Sequence, residues 1–300
     1  MYRLATDEGD QRHPGSRGTP GDLHPSPVAA GSRHLLRHPW NGRREPYVRR
    51  PGVDAKIDFA NWDNPLVLPT VITQEMVDFF KKFINKGDLV IDIGANIGDT
   101  TVPMALAAGS SGLTLAFDPN PYVFKILEKN ASLNKEKQNI VPLPYAITLQ
   151  EEEFYYVSSE ASFGNGGISS TKNSIHGKFI YPDKIKGVNL LSLLEQKYND
   201  KLKNLSFIKI DAEGYDKEII KSISRLIEKY KPAIIAECFG DSTPEEKFEL
   251  YNVIKKHGYE IFYFEDFNIR TTIIKLKDSN EINNWRKTIN IYAVPISKNL

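Results

Sequence analysis

From Asp54 onward the hydrophobic and polar positions alternate between two rhythms, short apolar runs and longer stretches of helical spacing. Leu89-Val90-Ile91-Asp92-Ile93 is an apolar run closed by Gly94, the pattern of a strand buried on both faces. A helix is predicted from about Gly98 to Ala108, then a strand at Leu113–Phe117. Asn120 caps the next predicted helix, with Pro121 at its first position, where a missing N–H costs nothing. Strands follow near Ile140–Leu143, Phe154–Val157 and Leu205–Ile210, then an amphipathic helix from about Tyr215 to Tyr230. Ala233–Ala236 is a further strand, Pro244–His257 a helix, and Tyr259–Phe264 and Ile289–Val294 are closing strands. Strands separated by helices of about ten residues imply βαβ units and a mainly parallel sheet, here with an antiparallel edge. Residues 158–188 break the rhythm and read as a long, mobile loop, either a lid or a surface insertion.

Composition adds a division. Residues 1–50 are rich in Arg, Pro, Gly and His and contain no lysine; afterwards the only arginines are Arg225, Arg270 and Arg286. The first segment cannot bury enough apolar surface to offset ordering entropy, so residues 1–50 are expected to be a disordered extension and 51–300 the folded domain, with its core at 69–265. A net charge of +1, with the excess of arginine confined to the extension, gives the domain no basic stripe, and no nucleic-acid partner is expected. The single cysteine, Cys238, suits a reducing compartment, and no apolar run nears the roughly 20 residues of a membrane span. A cytoplasmic protein with no membrane partner is the expectation. His176 and His257 share no ligand spacing with Cys238, so no metal is expected. Oligomeric state is left open.

Asp92-Ile93-Gly94-Ala95-Asn96-Ile97-Gly98 carries the strongest chemical signal, because it lies where a strand gives way to a helix. Open α/β sheets bind ligands at such strand ends. Asp118, closing the next strand, can accept hydrogen bonds from both hydroxyls of an adenosine ribose. NAD sites use the same position, but they also need a glycine where this loop has Asn96, so that a pyrophosphate can approach. S-adenosylmethionine has no pyrophosphate and is the favoured cofactor. Gly94 lets the backbone turn and approach a ligand closely, and Gly98 lets the helix pack near the strand.

With these motifs in order, the sequence resembles the FkbM-type methyltransferases from about Pro69 to Ala236. The markers are Val90 through Thr100, Phe117-Asp118-Pro119-Asn120-Pro121, and Ile208-Lys209-Ile210-Asp211-Ala212-Glu213-Gly214-Tyr215-Asp216. The resemblance implies a Rossmann-like class I methyltransferase fold, helices on both faces of the sheet, acting on hydroxyl groups of small molecules or sugars. It also implies that Asp92, Gly94, Asn96, Gly98 and Asp118 line the cofactor, and that Asp211 and Glu213 lie beside the transferred methyl group. Two positions depart from the family pattern: Asp118 stands where Glu is commoner, and Leu191 where many members carry an acid.

The expected reaction is in-line methyl transfer to a hydroxyl, a positioning task helped by removal of the proton. Asp211 is the candidate base, and Glu213 the candidate for binding the acceptor or orienting Asp211. The expected partner is a small-molecule or glycan acceptor. Alternatives are a non-catalytic module that kept the cofactor site, suggested by Leu191, and an NAD-dependent oxidoreductase.

Overall fold

The computed structural model describes residues 47–51 (backbone only), 57–63, 67–159, 166–172, 177–212 and 214–296. Residues 1–46 of the expected extension, His176 and Glu213 lie outside the described residues. Strand β1 (Tyr47–Pro51) begins inside the span expected to lack structure and pairs antiparallel with β2 (Asp58–Trp62), forming a two-stranded sheet.

Helix α1 (Gln74–Phe80) then leads to β3 (Leu89–Ile93), α2 (Thr101–Ala108), β4 (Leu113–Phe117), α3 (Pro121–Ser132) and β5 (Ile140–Leu143). The chain next makes β6 (Tyr145–Ile147), β7 (Glu152–Ser158), β8 (Gly166–Ser169) and β9 (Phe179–Val188). It returns to the main sheet through α4 (Leu190–Lys197), β10 (Leu205–Ile210), α5 (Asp216–Ser222), α6 (Ser224–Tyr230) and β11 (Ala233–Cys238). The last elements are α7 (Pro244–Lys255), β12 (Tyr259–Phe264), β13 (Ile273–Leu276) and β14 (Ile289–Pro295).

The main sheet has the order β13-β12-β14-β11-β10-β3-β4-β5. Pairing is parallel from β5 to β11, while β14 runs antiparallel between β11 and β12. Strand order reverses between β3 and β10, so the crevice for a ligand opens beyond their carboxyl ends. Successive strand residues face opposite sides. Ile91 and Ile208 join the core formed with α4–α7, while Val90 and Phe207 pack with Phe79 and Phe80 of α1 and Met104 of α2. Burying both faces explains why these strands read as continuous apolar runs.

Two expectations need correction. The segment 158–188 is not simply a loop: β8 and β9 flank β7 in a second sheet of order β6-β9-β7-β8. Its pattern was obscured because half of the residues of β9 are exposed and Pro182 stands where the ladder with β7 shifts register. The predicted Tyr215–Tyr230 helix is two helices broken at Ile223. Ser222 and Ser224 donate their hydroxyls to the carbonyls of Ile219 and Lys221, competing with the helical backbone at the break.

Candidate functional site

The turn after β3 is held against the ends of both neighbouring strands. Gly94 and Ala95 donate N–H bonds to the Phe117 carbonyl, each at 3.0 Å, and Asp211 N–H donates to Ile93 at 3.0 Å. Gly94 has φ +76°, and a Cβ there would lie 2.0 Å from the Asp211 carbonyl oxygen. Only glycine lets the two strand ends approach so closely. Asn96 has φ +49°, a conformation Asn tolerates better than most side chains. Its N–H donates to Asp118 Oδ2 at 2.7 Å, while Asn120 N–H donates to Asp118 Oδ1 at 2.8 Å. Asn120 in turn caps α3 by accepting from Tyr122 N–H. Asp118 is thereby fixed from both sides. Burial pushes its carboxyl up to about 7, with the Asn120 and Asn96 amides opposing the shift.

Behind this wall stands an acid–lysine–acid bridge. Asp92, fully buried, accepts from the hydroxyls of Thr101 at 2.6 Å and Thr100 at 3.3 Å. Its other oxygen is 3.3 Å from Lys209 Nζ, an ion pair without hydrogen-bond alignment. Lys209 donates to Asp211 Oδ2 at 3.2 Å and to the Gly94 carbonyl at 3.3 Å. Burial works against the charge on Lys209, but Asp211, Asp92 and Asp99 outweigh it and raise the pKa. Loss of solvent raises Asp99, with Lys209 opposing. Asp216 staples the next turn, accepting from Ala212, Gly214 and Glu237 N–H groups; burial pushes it up to about 7.

These elements wall a cleft of about 510 Å³. Gly94, Asn96, Asp118 and Asp211, all singled out from sequence, line it together. Asp92 and Gly98 stand behind it, Asp92 in the lysine bridge and Gly98 against Leu127. Leu191 lies on α4 and packs against the core. Sequence reasoning passed over Lys209, although a lysine inside a strand buried on both faces is itself a signal. It also missed Asn290 and Asp266, which line the cleft with Glu237; the antiparallel edge brings Asn290 there, paired with both Glu237 and Phe264. Among the described residues, no group of three or more His, Cys, Asp and Glu could hold a metal ion, and no helix is long and apolar enough to cross a membrane.

Residues 92–261 match the sequence model of the Methyltransferase FkbM domain, more than half of the chain. The chain belongs to the FkbM methyltransferase family. Hexuronic acid methyltransferase AglP of Haloferax volcanii is 21% identical over 182 residues, 61% of this chain and 69% of that protein. The tRNA (guanine(37)-N(1))-methyltransferase Trm5b of Pyrococcus abyssi is 31% identical over 112 residues, 37% of this chain and 31% of that protein. The chain thus spans about a third of this second relative. The crystal structure of methyltransferase FkbM from Methylobacillus flagellatus is 15% identical with a TM-score of 0.44, covering 70% of this chain and 44% of that one. As an FkbM methyltransferase the protein is an enzyme that uses S-adenosylmethionine. The site suits that cofactor. Each Asp118 oxygen accepts one backbone N–H and retains capacity for a further hydrogen bond, and the acids around the cleft match a sulfonium cation.

Proposed function

We propose that this methyltransferase methylates a hydroxyl group of a small molecule or sugar, with Asp211 as the base. The observation that carries the reading is Asp211 itself, which lines the same cleft as Asp118 and leaves 38% of its side chain exposed while Lys209 holds one oxygen. Similarity to a hexuronic acid methyltransferase supports a sugar acceptor.

When bound, S-adenosylmethionine supplies an electrophilic methyl group on a sulfonium. Asp118 would hold the ribose, with Asn96 and Gly94 shaping the turn beneath the cofactor. Asp92 acts from behind, fixing Lys209 and so the rotamer of Asp211. Asp211 receives the proton that the acceptor hydroxyl loses as its oxygen gains the methyl group. Glu213, outside the described residues, is proposed to bind the acceptor or orient Asp211 from the same turn. An in-line displacement needs positioning above all, and a carboxylate anchored at one oxygen presents the other in a fixed place.

Asp211→Asn keeps the size of the side chain and removes the base. Transfer to hydroxyl acceptors is expected to fall about 100-fold or more, the usual worth of general base catalysis, with S-adenosylmethionine affinity unchanged. Undiminished turnover would remove the base assignment. Because one relative methylates tRNA, the same assay should include tRNA; methyl transfer to it in preference to hydroxyl compounds would contradict the small-molecule reading.

A further inference from the structure

The cleft is not the whole of the concave surface around Asp211. Gly94 and Asp211 also line a small hollow with Phe117, Tyr145 and Tyr215, and Tyr215 in turn lines a further pocket of about 260 Å³. Tyr215 N–H donates to the Ala212 carbonyl at 3.1 Å, so this pocket begins one tight turn from Asp211. The second sheet joins the two cavities from the other side. Tyr156 of β7 pairs with Ile168 of β8, and strand positions two apart share a face. Phe154 and Tyr156 therefore stand on one face together with Gly166 and Ile168. Tyr156 and Gly166 line the cleft, while Phe154 and Ile168 line the pocket. One wall thus runs from the cleft into the pocket.

The chemistry changes along that wall. Buried Phe154, with Leu149, Ile168 and the Tyr215 ring, gives the pocket an apolar surface, and the exposed Gln150 and Glu152 mark its mouth. Leu149 is 56% exposed, an apolar side chain held in water beside a cavity. We infer that this pocket takes an apolar group of the acceptor, an aryl or short alkyl substituent on the hydroxyl-bearing sugar. The inference rests on the hydroxyl-methylation reading above. Covering Leu149, Phe154 and Ile168 with hydrocarbon removes apolar surface from water on both partners. A hydroxyl-rich ring is matched instead by polar side chains of the cleft, Asp211 and Asn290 among them. An apolar cavity of roughly 150 Å³ is enough to hold benzene, so an aromatic ring or a chain of about six carbons fits here. Seated in the pocket, the substituent directs the sugar along the shared wall toward Asp211, which helps to position the hydroxyl.

The test uses the full chain and matched methyl and hexyl glycosides of glucose, galactose and mannose. Transfer from radiolabelled S-adenosylmethionine gives kcat/KM, and calorimetric titration of the S-adenosylhomocysteine complex gives affinity without turnover. Burying about two of the extra methylenes is worth about 10-fold. At least one hexyl glycoside is therefore expected to bind and react better than its methyl partner by that factor or more. Leu149→Asp, a change at an exposed position, should bring the ratio toward one. Hexyl and methyl partners used equally well would overturn the inference and leave hydroxyl methylation standing. A ratio unchanged in Leu149→Asp would overturn the pocket as the place where the hexyl chain binds. Neither binding of nor transfer to any glycoside of the panel, with S-adenosylmethionine bound, would overturn the inference and the sugar reading together.

Discussion

At the scale of single residues the site depends on buried charges. Lys209 neutralises a fully buried Asp92 and tethers Asp211, which joins the turn after β3 to the candidate base. Removing one partner of a buried ion pair leaves the other uncompensated, so Lys209→Met should destabilise the fold by about 3–5 kcal/mol, measured by urea unfolding. A loss below about 1 kcal/mol would mean the bridge carries little. Asp118 gives a pH signature. Its carboxyl sits at about 7 when folded and near 4 in an unfolded chain, so over that window the folded protein holds a proton the unfolded chain has released. Its contribution to stability therefore falls as pH rises from about 4 to about 7 and is level above. Burial lowers the pKa of His257, which pulls the opposite way near pH 6. The useful quantity is thus the difference between the ligand-free protein and Asp118→Asn. The variant's relative stability should increase with pH across that window in thermal unfolding; a constant difference would contradict the upward shift that burial gives the Asp118 carboxyl.

At the scale of elements, sequence patterns were most readable where burial was two-sided. Leu89–Ile93 and Leu113–Phe117 match β3 and β4 residue for residue because every position in them faces a core or the sheet interior. Asn120 was legible as a cap for the same reason that it works: its side chain accepts from Tyr122 N–H, and Pro121 needs no partner. Patterns failed where one face meets water or local bonds compete. β9 hides its pairing behind exposed positions, and the serines flanking Ile223 break a helix whose apolar spacing runs through it. Helix α7 has the strongest local start signal in the chain, a capping box in which Thr243 accepts from Glu246 N–H and the Glu246 side chain accepts from Thr243 N–H. Thr243→Ala should cost about 1 kcal/mol, read as a lower Tm, and leave S-adenosylmethionine binding intact because α7 packs mainly on α5 and β12. Unchanged stability would show that α7 is held by packing alone.

At the scale of the whole molecule, the sheet order assembles what no local pattern contains. Gly94, Asn96 and Asp118 were identifiable from motif and spacing because they lie just beyond the ends of β3 and β4, and Asp211 through the family resemblance. Asp266 and Asn290 were not, since their place in the cleft follows from β14 running antiparallel between β11 and β12. The second sheet likewise brings to the cleft Tyr156, from a strand the sequence pattern predicts, and Gly166, from the segment with no readable period. Family membership fixes methyl transfer and its cofactor, while the roles of individual side chains rest on this geometry. The central claim is that the cleft at the β3–β4 edge is the cofactor site and that Asp118 holds its ribose. Calorimetric titration of the protein and of Asp118→Ala with S-adenosylmethionine, S-adenosylhomocysteine and NAD tests it most directly. The account predicts binding of both adenosyl ligands, none of NAD, and an affinity at least about 10-fold weaker in the variant, in keeping with the worth of charged hydrogen bonds. Equal affinity in the variant, or preferential binding of NAD, would contradict it.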